Sequence, residues 1–68
     1  MKPKTISLMI KWYEGNAAKA RLNIETYLQH SVGIGEHSDI AEALDVELGK
    51  YASALERIEA LEKIAKEP

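Results

Sequence analysis

The sequence contains no cysteine, and this absence removes two ways of stabilising a small fold. Neither disulfide bonds nor thiolate metal sites are available, and cysteine content gives no indication of the redox compartment. A chain of 68 residues buries only about 60% of the surface it exposes when unfolded. We therefore expect association with a partner to supply part of the stability.

Long apolar runs are also missing. The first apolar segment, residues 6–10, ends at Lys11, whereas a membrane span needs about 20 apolar residues. The N-terminal segment lacks the small-residue cleavage site of a secretory signal. We predict a soluble, cytoplasmic protein that does not bind membranes.

The chain has no large excess of either sign of charge, since its net charge is only -2. Residues 1–34 carry five basic and two acidic side chains, and residues 35–68 carry four basic and nine acidic ones. This asymmetry favours pairing between the two halves. The five basic residues of the first half are too few to predict a nucleic-acid-binding surface. They are Lys2, Lys4, Lys11, Lys19 and Arg21.

The sequence does contain two matched apolar patterns. When the chain is folded back about Ile34, positions whose numbers sum to 68 face each other, and their spacings alternate between four and three residues. The pairs are Ile6 with Glu62, Ile10 with Ile58, Tyr13 with Leu55, Ala17 with Tyr51, Ala20 with Leu48, Ile24 with Leu44 and Tyr27 with Ala41. Such spacing is typical of packed helices. The pattern predicts an all-α, antiparallel two-helix hairpin in which residues 1–68 form one domain.

Capping residues and glycines set the expected helix boundaries. Thr5 and Ser38 are candidate N-caps, which predicts helices over about 5–30 and 39–66. Gly33 and Gly35 are expected to form the turn within residues 31–38. Gly15 is the weak point of the first helix, but the apolar spacing continues in phase across it. We expect a continuous helix there rather than a break.

Apolar side chains outside this seam suggest a second copy of the chain. They are Leu8, Met9, Trp12, Leu22 and Leu28 in the first helix, and Ile40, Ala54 and Leu61 in the second. Apolar faces this broad are typical of helices with two neighbours. We predict a homodimer that forms a four-helix bundle, with Trp12 as the aromatic anchor of the interface. Ile6, opposite Glu62, marks the open end where intramolecular pairing is expected to fail.

Three groups of residues invite a chemical interpretation. His30, Glu36, His37 and Asp39 surround the turn without matching a metal-binding motif. Glu56, Glu59 and Glu62 resemble a magnesium-binding helix, but Arg57 and Lys63 are interleaved and a second acidic cluster is missing. Gly33-Ile34-Gly35 follows a helix rather than a strand, unlike a phosphate-binding loop. We predict no catalytic, metal-binding or cofactor-binding residues and no enzymatic activity.

Residues 24–28 (IETYL) and 32–40 (VGIGEHSDI) resemble small, functionally uncharacterised helical proteins of large tailed bacteriophages, including phages of marine bacteria. The resemblance covers the middle and C-terminal half of the chain. The family pattern often has proline where this chain has Ser38. The resemblance implies a helical hairpin in the cytoplasm of a bacterial host, and it implies no activity or site residues.

Our functional prediction is a self-assembling structural, accessory or adaptor protein. The alternative is a protein-binding module that uses the apolar N-terminal face of its first helix, such as a phage-encoded modulator of a host protein. A monomeric or partly unfolded state in isolation favours the module, and a symmetric oligomer favours self-assembly.

Overall fold

The computed structural model describes the backbone of residues 3–29 and 37–68 and the side chains of residues 3–29 and 40–68. Two helices make up almost all of this part: α1 spans Pro3–Gln29 and α2 spans His37–Ala65. Asn23 of α1 contacts Glu47 of α2, and Tyr13, which lies earlier in α1, contacts Arg57, which lies later in α2. The helices are therefore antiparallel, and the predicted all-α hairpin is confirmed.

Both helices begin two residues earlier than predicted. α1 starts at Pro3 rather than Thr5, because proline suits a first turn, where the amide hydrogen that it lacks has no intrahelical acceptor. α2 starts at His37, so the predicted cap, Ser38, lies inside the helix. The turn glycines Gly33 and Gly35 fall outside the described residues. The end of α2 is tightened by a hydrogen bond of 3.2 Å from the amide of Lys66 to the carbonyl of Lys63.

The helix α1 continues through Gly15 without a break, as predicted. Gly15 is exposed, and a Cβ added to it would meet no heavy atom within 4 Å. The glycine therefore faces away from α2 and is not needed for packing within the hairpin.

The seam of α1 is the predicted one. Its seven positions are all buried or half-buried, and Ile6, Ala17, Ala20 and Ile24 are the buried ones. Burial of Ile6 (6% exposed) corrects the prediction that pairing fails at the open end, since Glu62 is exposed and Ile6 lies beside Ile64 and Ala65 instead.

The seam of α2 differs from the prediction. Ala54 (4% exposed) and Glu47 (9%) face α1, whereas Leu48 and Leu55 are 47% and 45% exposed. The observed stripe again alternates four and three residues, and consists of Ile40, Leu44, Glu47, Tyr51, Ala54, Ile58 and Leu61. Placing Ala41, Leu48, Leu55 and Glu62 in the seam was wrong, and the predictions for Leu44, Tyr51 and Ile58 were right.

Small side chains and one hydrogen bond explain this rotation of α2. The buried alanines Ala17, Ala20 and Ala54 allow the helix backbones to approach closely, which a leucine at position 54 would prevent. Glu47 is tolerated in the seam because Asn23 Nδ2 donates to its Oε1 at 3.0 Å and Lys50 Nζ donates to its Oε2 at 3.3 Å. A prediction based on hydrophobicity places Leu48 in the seam in preference to Glu47, and so assigns the seam to the wrong set of residues.

Candidate protein–protein interface

Few large apolar side chains of the hairpin are buried, and many are exposed. Three of the five buried apolar residues are alanines, and no large side chain is fully buried in the described part of the chain. The large exposed apolar side chains are Leu8, Met9, Trp12, Leu22, Leu28, Val46, Leu48, Leu55 and Ile64. Soluble domains normally bury residues of this type. About half of the large apolar side chains in the described part of the chain are therefore left largely exposed by the packing of α1 against α2.

The accessible surface area is larger than that of a compact protein of this mass, in part because the hairpin is elongated, with extents of 54 × 14 × 12 Å. The chain exposes 5401 Å², whereas a monomeric protein of 7.6 kDa is expected to expose about 4,300 Å². The excess of about 1,100 Å² is comparable to the roughly 800 Å² that each partner buries in a stable complex. One further protein contact is enough to bring the exposed area to the normal range.

The outward side of α1 carries the most exposed of these residues. Leu8 is 56% exposed, Trp12 62% and Leu22 66%. They belong to a second stripe with alternating three and four spacing, which we call the outer stripe: Thr5, Leu8, Trp12, Gly15, Lys19, Leu22, Thr26 and Gln29. Every member is exposed, so the stripe lies opposite the seam with α2. Thr26 satisfies its hydroxyl locally by donating to the carbonyl of Leu22 at 2.9 Å.

A shallow groove of about 240 Å³ runs between the two helices near the open end. It is lined by Met9, Tyr13, Arg57, Ala60, Leu61 and Ile64. Met9 is 37% exposed and Ile64 46%, so apolar side chains remain accessible on both walls. Trp12 lies three residues from Met9 on the same side of α1, which extends the apolar surface toward the outer stripe.

The same edge of the hairpin is polar further toward the turn. A groove of about 300 Å³ is lined by Tyr13, Asn16, Lys19, Ala20, Glu47, Lys50, Ser53, Ala54 and Arg57. The guanidinium of Arg57 lies 6.0 Å from the centroid of the Tyr13 ring and donates to the carbonyl of Ser53 at 3.4 Å. These contacts fix Arg57 at the edge of the hairpin.

The carboxylate of Glu47 is the one acidic group in the lining of that groove. The hydrogen bond from Asn23 is the largest cause that lowers the pKa of Glu47, and Lys50 and Lys19 lower it further against the opposing effect of burial. Glu47 is therefore charged at neutral pH. It partly neutralises the three cations around it, which leaves the groove with a modest positive charge.

The opposite edge carries a second polar link between the helices. Arg21 forms an ion pair with Glu25 one turn further along α1 and interacts electrostatically with Tyr51 of α2. Both interactions raise the pKa of Arg21, which is charged at every accessible pH. Since the ion pair is exposed, we assign it little stabilisation.

The part of the chain that the structure describes contains no arrangement suited to catalysis by a bound metal. No group of three or more His, Cys, Asp or Glu residues is placed to hold a metal ion there. Glu56, Glu59 and Glu62 are exposed on α2. His30 and Glu36, and the side chains of His37 and Asp39, lie outside the described residues. Among the described helices none has the length and apolar character needed to cross a lipid bilayer.

Comparison with known proteins gives no indication of function for this chain. No protein-family model matches it. Searches of curated proteins and of solved structures likewise find no significant match. The function therefore has to be argued from the surface of the hairpin itself.

The structure separates the residues that were predicted to form an interface. Leu8, Met9, Trp12, Leu22 and Leu28 are exposed on α1, whereas Ile40 and Leu61 are half-buried in the seam with α2. Ala54, also placed outside the seam by the sequence pattern, is buried within it. Sequence reasoning missed Val46 and Ile64 as exposed apolar residues, and it missed the pairing of Asn23 with Glu47. The numbers 23 and 47 sum to 70, close to the 68 of the predicted facing pairs, so the fold-back pattern already placed these two residues near each other.

Proposed function

We propose that this protein is a non-enzymatic, self-associating helical hairpin that acts as a structural, accessory or adaptor component. Two copies form a symmetric dimer with four helices. The observation that carries this proposal is the exposure of large apolar side chains along one face of α1, where Leu8, Trp12 and Leu22 are 56%, 62% and 66% exposed. The phage resemblance of residues 24–28 and 32–40 places this role, as part of the proposal, in the cytoplasm of a bacterial host.

The large exposed area of the chain supports self-association. An excess of about 1,100 Å² per copy is enough to supply the roughly 800 Å² that a standard interface buries on each side. A second copy of the chain is present wherever the protein is made, so self-association needs no other partner. Homodimers with two-fold symmetry are also the commonest oligomers of soluble proteins.

Sedimentation equilibrium of the purified protein tests the proposal. We expect a species of about twice the 7.6 kDa chain mass, together with a melting temperature that rises with protein concentration. A 7.6 kDa species that is fully helical and melts cooperatively at the same temperature over a hundredfold range of concentration would refute it.

The groove beside Met9, Leu61 and Ile64 favours a second candidate function, the binding of a helix from a different protein. Its apolar walls continue into the positively charged groove around Lys50 and Arg57, which suits an acidic amphipathic helix. For this function we expect a monomer that binds a designed acidic amphipathic peptide, with affinity that falls as salt rises. Absence of binding to such a peptide at low salt would argue against it.

A further inference from the structure

The two leucines of the outer stripe are placed symmetrically about Gly15. Leu8 lies seven residues before Gly15 and Leu22 seven residues after it, while Trp12 lies three residues before it and Ala18 three after. A helix with large apolar residues at equal distances on both sides of a glycine can pack against an antiparallel copy of itself. Two-fold dimers require such self-complementarity, because a contact from residue i to residue j is repeated from j to i.

Gly15 occupies the position where two such helices approach most closely. It is exposed, lies in the middle of a continuous helix and has open space where a side chain would begin. Glycine lowers helix stability relative to alanine, so its presence has no benefit within the hairpin. At a crossing point between helices, absence of a side chain allows the backbones to come closer.

Gly49 of α2 provides an internal comparison. It is also exposed and mid-helical, and a Cβ added to it would meet nothing within 4 Å. Its neighbours seven residues away are Glu42 and Glu56, whereas those of Gly15 are Leu8 and Leu22. Val46, three residues before Gly49, is exposed and apolar, but the residues seven positions away on either side are charged. Gly15 differs because large apolar side chains occupy both of those positions.

We propose that two copies of the chain pack through their outer stripes, with the α1 helices antiparallel and the two-fold axis passing beside Gly15. This inference rests on the self-association proposed above and specifies its geometry. The two α1 helices form the centre of the assembly, and each α2 lies on the outside against its own α1. The dimer is thus a layered four-helix assembly rather than a square bundle.

Trp12 is the anchor of this packing. When the axis passes beside Gly15, Trp12 lies opposite residues 15, 18, 19 and 22 of the other copy. Four residues with this spacing form a hole that accepts a side chain in knobs-into-holes packing. Gly15 and Ala18 make the floor of this hole shallow, and both are exposed. Leu22 supplies an apolar wall, and Lys19 supplies a cation beside the indole ring.

The direction of packing follows from side-chain size. Parallel α1 helices would place each Trp12 at the level of the Trp12 of the other copy, and each Lys19 at the level of Lys19. Antiparallel helices place each Trp12 at the level of Ala18 and each Leu8 at the level of Leu22, so the tryptophan meets a small residue. Lys19 then lies at the level of Lys11, so charge does not favour either direction.

Cysteine cross-linking tests the position of the axis. The chain has no cysteine, so Gly15→Cys introduces a single thiol, and Gly49→Cys is its matched control on α2. Both glycines are exposed and helical, so neither change is expected to prevent folding. Under mild oxidation we expect the Gly15→Cys protein to become a covalent dimer at least about tenfold faster than the control, because disulfides need Cα atoms within about 7 Å.

A double-mutant cycle tests the direction. Leu8→Glu and Leu22→Lys are each expected to weaken dimerisation, and the double variant is expected to dimerise about tenfold more tightly than the two separate effects predict. Residues 8 and 22 are 14 positions apart, or about 21 Å along α1, so coupling between them has to cross the interface. Parallel packing gives no such coupling.

The outcomes separate this inference from the proposed function. A monomer in sedimentation experiments overturns both. A dimer in which positions 15 and 49 cross-link equally slowly overturns the outer-stripe geometry and leaves self-association intact. Rapid cross-linking at position 15 without coupling between Leu8 and Leu22 overturns the antiparallel arrangement. Rapid cross-linking together with coupling supports the inference in full.

Discussion

Replacement of Trp12 by alanine is expected to dissociate the proposed dimer. Trp12 is 62% exposed in the hairpin, and a tryptophan side chain has up to about 250 Å² to bury, so about 150 Å² is available to a partner. At about 25 cal/mol per Å² this area corresponds to about 4 kcal/mol, of which the alanine that replaces it retains a small part. We therefore expect a loss of about 3 kcal/mol for each copy.

Because a two-fold dimer contains the contact twice, the loss in dimerisation free energy is about 6 kcal/mol. Association also costs side-chain entropy and the desolvation of polar groups, which the buried area does not include. We therefore take about 2 kcal/mol per copy, the loss typical of an interface hot spot, as the minimum expected effect. Even that bound raises the dimerisation Kd by about 1,000-fold. Sedimentation equilibrium over a wide range of concentrations measures this change.

The matched control is Val46→Ala, which removes an apolar side chain that is 53% exposed on α2, away from the outer stripe. We expect its Kd to stay within about threefold of the unmodified protein, because surface substitutions usually change free energies by less than about 0.5 kcal/mol. A Trp12→Ala protein whose Kd rises less than tenfold, or no more than that of the control, would show that Trp12 is not the anchor.

Three further predictions concern the hairpin. Gly49→Ala should raise the stability by about 1 kcal/mol in chemical denaturation, because the site is helical and open; an unchanged midpoint would count against this. Leu55→Ala should cost less than about 1.5 kcal/mol, while Ala54→Leu should cost about 1–3 kcal/mol by overpacking, and the reverse order would refute the observed seam. Because the folded-state pKa of Glu47 is lowered, its stabilising effect is present above pH 4.5 and lost as pH falls through the folded-state value. Asn23→Ala should therefore flatten the acid-induced fall of the melting temperature, and an equally steep fall would contradict the role of Asn23.

The fold could be predicted because heptad spacing depends mainly on which residues are apolar. The stripe of α1, from Ile6 to Tyr27, contains no charged residue and was predicted correctly at every position. Continuity through Gly15 was predicted for the same reason, since the spacing stays in phase on both sides. Antiparallel pairing and the approximate helix lengths follow from the position of the central glycines.

The rotation of α2 could not be predicted from apolar pattern alone. Two overlapping stripes share Leu44, Tyr51 and Ile58, and they differ in whether Leu48 or Glu47 faces α1. Hydrophobicity favours the leucine by the free energy of burying its side chain. The choice depends instead on how closely the backbones approach and on whether the glutamate finds a donor, and both are properties of the packed pair of helices.

The same rotation links the fold to the proposed interface. With alanines in the seam, the hairpin buries little apolar surface of its own, and the chain hides only about half of the roughly 11,000 Å² expected for its unfolded state. The conformational entropy lost on folding grows with every ordered residue, whether or not that residue is buried. Under the proposed self-association, the contact that covers Leu8, Trp12 and Leu22 supplies much of the stability that so thin a core lacks. Folding and association then form one equilibrium, and we expect changes in the outer stripe to alter the melting temperature even though they remove no contact within a single chain.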